Sequence, residues 1–174
     1  ESDSALAAEY LRIIGDFERI ADHSVNILES AEEMQQKGIA FSAAALQEYA
    51  TMAGAVREVT ALAYDSFVSG DVQAARQVEP LEQVIDDLKE EMRTRHIRRM
   101  QQGSCVIEAG FIWSDLLTNL ERVSDHCSNI ACCMIEGADH NLHRHEVLQS
   151  IRGSGEIFDR ESSSYRQKYA LTAE

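Results

Sequence analysis

The stretch Leu120–Ala131, "LERVSDHCSNIA", echoes an earlier one, Phe17–Leu28, "FERIADHSVNIL". The register between them is 103 residues, 121 minus 18. At that register Glu18, Arg19, Asp22, His23 and Asn26 meet Glu121, Arg122, Asp125, His126 and Asn129, and Ile27 meets Ile130. On a helix turning about 100° per residue, the five shared polar residues of each copy fall within about 140° of arc. Phe17, Ile20, Ala21, Ile27 and Leu28 fill the opposite side. Both stretches are therefore predicted to be helical, with a core stripe and a polar edge facing away from it. A plain solvent edge tolerates almost any polar residue, so five shared identities call for a chemical reason.

Outward from these stretches the apolar spacing predicts four long helices. The first spans about Ser4 to Lys37, with Ile13, Ile14, Phe17, Ile20, Ala21, Ile27, Leu28 and Ala31 as its stripe and Gly38 as its stop. Ser42 caps a second, about Ala43 to Ser69. Gly70 ends it, and Asp71 caps a third, about Val72 to Gln101. Pro80 lies inside the third and removes a backbone donor, which predicts a kink near Gln77. Gly103 and Ser104 reset the chain before a fourth helix, about Cys105 to Glu136. Beyond Gly137, "ADHNLHRHE" reads as a loop, followed by short helices at about Glu146–Arg152 and Glu156–Tyr169. Short connections imply antiparallel neighbours. The expected fold is all-α, an up-and-down antiparallel helical bundle over 1–137 with a small appendage over 138–174.

Composition agrees with a helical domain and bounds its partners. The 174 residues are 44% hydrophobic and 6% aromatic, with a single proline. Asp and Glu number 30 against 16 Lys and Arg, a formal charge of −14. That balance speaks against nucleic acid and against general adsorption to anionic lipid. It suits cations, or solubility alone. The four cysteines, Cys105, Cys127, Cys132 and Cys133, have no zinc-site spacing, and the expectation is reduced, mostly buried thiols. The chain opens "ESDSALAAEY", without methionine, signal peptide or an apolar run near the ~20 residues of a membrane span. A soluble piece excised from something larger is the expectation.

Glu-x-x-x-Asp places two carboxylates one helical turn apart on one face. Such a pair suits Mg²⁺, Mn²⁺, Fe or Zn²⁺, but two carboxylates are too few to enclose an ion. The third helix offers Glu79, Glu82, Asp86 and Glu90, and some of these are expected to face a repeated motif across a groove. The competing reading of each set is a solvated face. Asp16 and Asp115 are weaker candidates, because they do not sit at matched positions. Arg19 and Arg122 could steady the carboxylates or attract phosphate. His23 and His126 are possible ligands or supporting groups. His140, His143 and His145 cluster in the loop, where an exposed segment is the plainer reading. No glutamate has a histidine three residues on, which argues against a di-iron bundle enzyme. There is no visible nucleophile or nucleotide-binding loop, so the expectation is that the protein is not an enzyme.

The segments "DFERIADHSVNILE" and "NLERVSDHCSNIA" resemble the E(D)xxxD signatures of PhoU-like domains. In that family each repeat has three helices, and the signature lies on the third. The resemblance implies that Glu18–Asp22 closes a first repeat lacking its earlier helices, and that Ala43–Glu136 is a complete second repeat. Ala21 and Ser124 stand where the usual signature has glycine. "RHIRRMQQGSC" at Arg95–Cys105, "WSDLLTNLERVSDH" after it, and "SSSYRQKYAL" at Ser162–Leu171 resemble the C-terminal cytoplasmic region of bacterial type II-related sodium/phosphate cotransporters. What this implies is a regulatory or accessory domain on the cytoplasmic face of the membrane, partnered with the transporter portion of the same polypeptide. Phosphate binding and a homodimer are further possibilities, and nucleic acid is not expected. The family's multinuclear metal clusters imply Glu18, Asp22, Glu121 and Asp125 as ligands, with Asp86 and Glu82 from the third helix and Glu121–Asp125 as the fuller site. A free-standing phosphate-uptake regulator and a metal-free interaction module are the alternatives.

Overall fold

The computed structural model describes residues 2–138 and 144–173, and all the elements described are helices. They are α1 (Ser2–Lys37), α2 (Ala43–Ser69), α3 (Val72–Ala75), α4 (Val78–Gln101), α5 (Ile107–Ala138), α6 (Arg144–Arg152) and α7 (Glu156–Lys168). The punctuation residues act as their chemistry requires. Ser42 Oγ accepts the Ala45 N–H, and Asp71 accepts those of Gln73 and Ala74, filling donors that a helix start leaves orphaned. Gly70 ends α2 at φ 69°, a left-handed turn that costs glycine nothing.

The third helix is not the single kinked rod that the sequence predicts. It breaks at Arg76 and Gln77 into α3 and α4. Pro80 then falls in the first turn of α4, where its missing N–H would have had no intrahelical partner. The break is thus a fresh helix start rather than a bend. His140 and His143 lie outside the described residues, while His145 is exposed on α6.

Three helices, α2, α4 and α5, close around Met52, Val59, Leu81, Ile85, Met92 and Ile130, all fully buried. Each such side chain contributes about 1.5–3 kcal/mol by leaving water. Cys127, Cys132 and Cys133 are buried in this core, and burial pushes the Cys127 thiol to about 12 and that of Cys133 to about 11. They pack as small apolar groups.

α1 lies antiparallel along α5, fastened by Ile13 and by Phe17 against Phe67 and Tyr64. Only one side of its predicted stripe is covered: Ile14, Ala21, Leu28 and Ala31 are exposed. The C-terminal appendage is tied down by ion pairs. Lys168 and the Tyr169 hydroxyl meet Glu58, Arg166 meets Asp87, and Arg95 donates to the Thr172 carbonyl at 2.7 Å. α6 contributes Val147 and Ile151 to the core. Where α4 ends, the buried Glu48 carboxylate accepts two bonds from Arg99, at 2.8 and 2.9 Å. Beside it His96 stacks on Trp113, and burial with the nearby Arg99 charge lowers the histidine's pKa, holding it neutral.

Candidate metal site in the α4–α5 groove

The two Glu-x-x-x-Asp motifs sit in different surroundings. Glu121 and Asp125 are half-buried on α5, with Glu82 and Asp86 beside them on α4. Both pairs are spaced by four, so each stands one turn above the other along facing edges of two packed helices. The four carboxylates sense one another. Burial raises the Asp86 pKa, and the charges of Glu121 and Asp125 raise it further. Burial and Glu121 raise Asp125, against the pull of Arg122. Glu82 is pushed up to about 8 by burial first, then by Glu79, Asp86 and Asp125, so it holds its proton at neutral pH. Its Oε2 is buried with no hydrogen-bond partner.

Three cations offset part of this charge. Lys89 Nζ lies 2.9 Å from Glu121, and Arg122 bonds Asp125 at 3.1 Å. Arg152 of α6 bonds the buried Glu79 at 2.6 and 3.0 Å, and the Ser128 hydroxyl donates to the same carboxylate. Glu79 is thereby satisfied and joins the core rather than the groove. Glu90 is exposed beside Arg93, on another part of α4. Of the four acidic positions expected on the third helix, Glu82 and Asp86 face the repeated motif.

An orphaned carboxyl oxygen, a carboxyl kept protonated by burial and by its neighbours' charge, and only oxygen donors are the chemistry of a hard-cation site. Among the described residues, no three His, Cys, Asp or Glu side chains stand close enough as placed to hold an ion. The donor set fits a multivalent cation, and holding one would require these side chains to turn inward.

Glu18 and Asp22 have no such company. Both are exposed on α1, and no hydrogen bond or ion pair ties them to another described residue. The structure brings Glu82, Asp86, Glu121 and Asp125 together and leaves Glu18 and Asp22 apart.

The remaining shared residues are placed differently from the expected polar edge. His126 Nδ1 lies 2.8 Å from Asp16 Oδ1, which also accepts from Asn129 Nδ2 at 3.1 Å. His23 Nδ1 lies 2.8 Å from Asn119 Oδ1, which also accepts from Asn26 Nδ2 at 3.1 Å. Asp16 and Asn119 are themselves 103 residues apart. The interaction is therefore written twice, once in each direction across an antiparallel helix pair, about a local two-fold axis. Near that axis the rings of His23 and His126 stack, with centroids 5.5 Å apart. The repeated His and Asn residues thus join α1 to α5, and only the carboxylates and arginines remain outward. Asp16, a weaker metal candidate by its position, has this joining role instead. An identity search overlooks Asp16 and Asn119 because the pair is not identical; the register itself points to them.

A family model described as "PhoU domain" matches residues 1–31 and 49–134. Among curated proteins, the chain is 28% identical over 149 residues to a "Phosphate-specific transport system accessory protein PhoU homolog 1" of Thermotoga maritima, covering 86% of this chain and 63% of that protein. It is 26% identical over 132 residues to a "Phosphate-specific transport system accessory protein PhoU homolog" of Deinococcus radiodurans, covering 74% and 59%. The chain thus spans less than two thirds of the length of these relatives. No solved structure matches it significantly.

Proposed function

The chain belongs to the PhoU domain family, and from that premise we propose that it acts as an accessory, regulatory protein of phosphate uptake whose α4–α5 groove takes up a multivalent cation. The relatives' names support the phosphate half of this reading. They favour a transport-system accessory protein over a domain fused to a sodium/phosphate cotransporter. The working partner is then the membrane-embedded part of a phosphate transport system. Among the described residues no helix of this chain is long and apolar enough to cross a membrane.

The observation that carries the cation half is the crowding of Glu82, Asp86, Glu121 and Asp125 in a half-buried groove, where burial first and neighbouring carboxylate charge second raise the pKa of Glu82, Asp86 and Asp125. Fe, Zn²⁺, Mn²⁺ or Mg²⁺ would be held by these oxygens. Such an ion would supply positive charge that could attract phosphate. Glu82 would have to release its proton to bind it, and Lys89 and Arg122, which now pair with Glu121 and Asp125, would have to yield those carboxylates. Glu18 and Asp22 contribute a weak edge, since none of the described residues pairs with them.

Melting of untagged, chelator-treated protein with added Mn²⁺, Zn²⁺ or Fe²⁺ tests the cation half. The Glu121→Gln/Asp125→Asn variant should lose the ion-dependent rise in Tm, and Glu18→Gln/Asp22→Asn should keep it. An equal rise in both variants would sink the groove assignment. Phosphate uptake in a bacterium lacking its own PhoU protein tests the regulatory half: this chain should restore controlled uptake, and unchanged uptake counts against the reading.

A further inference from the structure

At the α4–α5 turn a second donor set gathers, built of sulfur and nitrogen rather than oxygen. Cys105 Sγ lies 3.9 Å from His96 Nε2. Met100 approaches the same imidazole from the Gly110 side: a Cβ on Gly110 would come 2.9 Å from Met100 Sδ and 3.3 Å from His96 Nε2. Gly110 keeps this point open, and the thioether and imidazole flank it. His96 is 96% buried (4% exposed), and its Nδ1 finds no hydrogen-bond partner among the described residues. Its Nε2 faces the Cys105 thiol, so that nitrogen is the one placed to share a ligand with the sulfur. Cys105 is the one cysteine not fully buried. It opens with His96 and Arg99 onto a cavity of about 150 Å³ that gives a path from solvent.

We propose that His96, Met100 and Cys105 form a binding site for a soft monovalent cation, of the Cu(I) or Ag(I) class. Three arguments converge on it. A nitrogen and a sulfur bound to one ion at about 2.0 and about 2.3 Å stand about 3.5 Å apart at a tetrahedral angle and about 4.3 Å apart in a straight line, so the Cys105–His96 spacing of 3.9 Å falls within the range one ion can bridge. Thiolate, thioether and imidazole together select soft ions over the hard ions of the carboxylate groove. Charge then selects the valence. The ion displaces the Cys105 thiol proton to solvent, and a monovalent ion on a thiolate is neutral overall. A divalent ion would leave a net positive charge beside Arg99, whose guanidinium already lies over Trp113. No oxidation or reduction occurs in this step, since the ion enters and stays monovalent.

The chain's one tryptophan reports on the site. Trp113 stacks on His96 with centroids 5.6 Å apart. Reduced protein, titrated without oxygen against a coloured Cu(I) chelator, should withdraw one equivalent of Cu(I) while Trp113 fluorescence falls. Cys105→Ser should weaken that binding at least 100-fold and abolish the fluorescence change. Met100→Leu should weaken it about tenfold, and circular dichroism should show both variants folded. Equal copper uptake by Cys105→Ser and the parent chain, or uptake that leaves Trp113 emission unchanged, would overturn the site and assign copper to the buried thiols instead.

Discussion

The same five polar residues stand on α1 and on α5, and the two helices live in different worlds. On α5 the apolar side is walled in by α2 and α4. At three matched positions of α1 it is bare. Trp113, Leu117 and Ala131 are 1%, 2% and 3% exposed, while Tyr10, Ile14 and Leu28 are 46%, 51% and 58% exposed. The carboxylates follow suit. Those of α5 face Glu82 and Asp86, and those of α1 face solvent. What the two copies do share is their junction, the paired His–Asn contacts to Asp16 and Asn119. The repeat thus encodes two separable things: a way for the helices to hold each other, and a carboxylate edge that needs a third helix before it can act.

Substitution at matched positions tests that division, and the largest contrast lies in the core. Leu117→Ala should lose about 2–4 kcal/mol in denaturant unfolding, because it opens a cavity. Ile14→Ala should lose within about 0.5 kcal/mol, as surface positions do. Equal losses would mean that the bare side of α1 is covered in solution.

The next contrast is the cation. At 100 times its dissociation constant, an ion bound only to the folded state stabilises by about 2.7 kcal/mol. Calorimetry should find that gain in the parent chain and in Glu18→Gln/Asp22→Asn, and should find it missing from Glu121→Gln/Asp125→Asn.

The junction should give smaller and more even effects. Asp16→Ala strips an acceptor from His126 and Asn129, and Asn119→Ala strips one from His23 and Asn26. Each should cost about 1–2 kcal/mol, with Asp16 the larger because its acceptor is charged. A null effect at either position would break the symmetry argument.

The last contrast concerns protons. Glu82 has its folded-state pKa raised to about 8 from 4.5. Between those values the folded chain holds a proton that the unfolded chain has released, so stability falls as pH rises across that window. Without added ions the parent chain should therefore melt lower at pH 8 than at pH 5.5, and Glu82→Gln should flatten that slope and raise Tm at pH 8. A steeper slope in the variant would mean that another group sets it.

Most of the fold was legible because its boundaries rest on local chemistry. Ser42, Gly70 and Asp71 each satisfy a helix end through their own side chain or backbone, and no distant contact is needed to predict that. The break at Arg76–Gln77 was harder, since Pro80 suits a kink and a first turn equally well until packing decides. The stripe of α1 was half right: periodicity marks which residues are apolar, not whether a neighbour covers them. That part of the acidic stripe of the third helix would face a repeated motif followed from four-residue spacings on neighbouring helices; the choice of Glu82 and Asp86 came with the family resemblance, since spacing admits Glu90 equally. The inward turn of His23, Asn26, His126 and Asn129 did not, because a wheel drawn for one helix says nothing of the helix beside it. The soft-donor set at His96, Met100 and Cys105 combines the end of one helix with the turn before the next, and no periodic pattern marks it.

Lys89 gives the groove one more property. Its ammonium, 2.9 Å from Glu121, already holds a carboxylate that the proposed ion would need. An arriving ion would thus compete with a tethered rival that is always present at the same effective concentration. That rival would lower the apparent affinity of every ion by one constant factor, and the reach of one lysine side chain would set that factor.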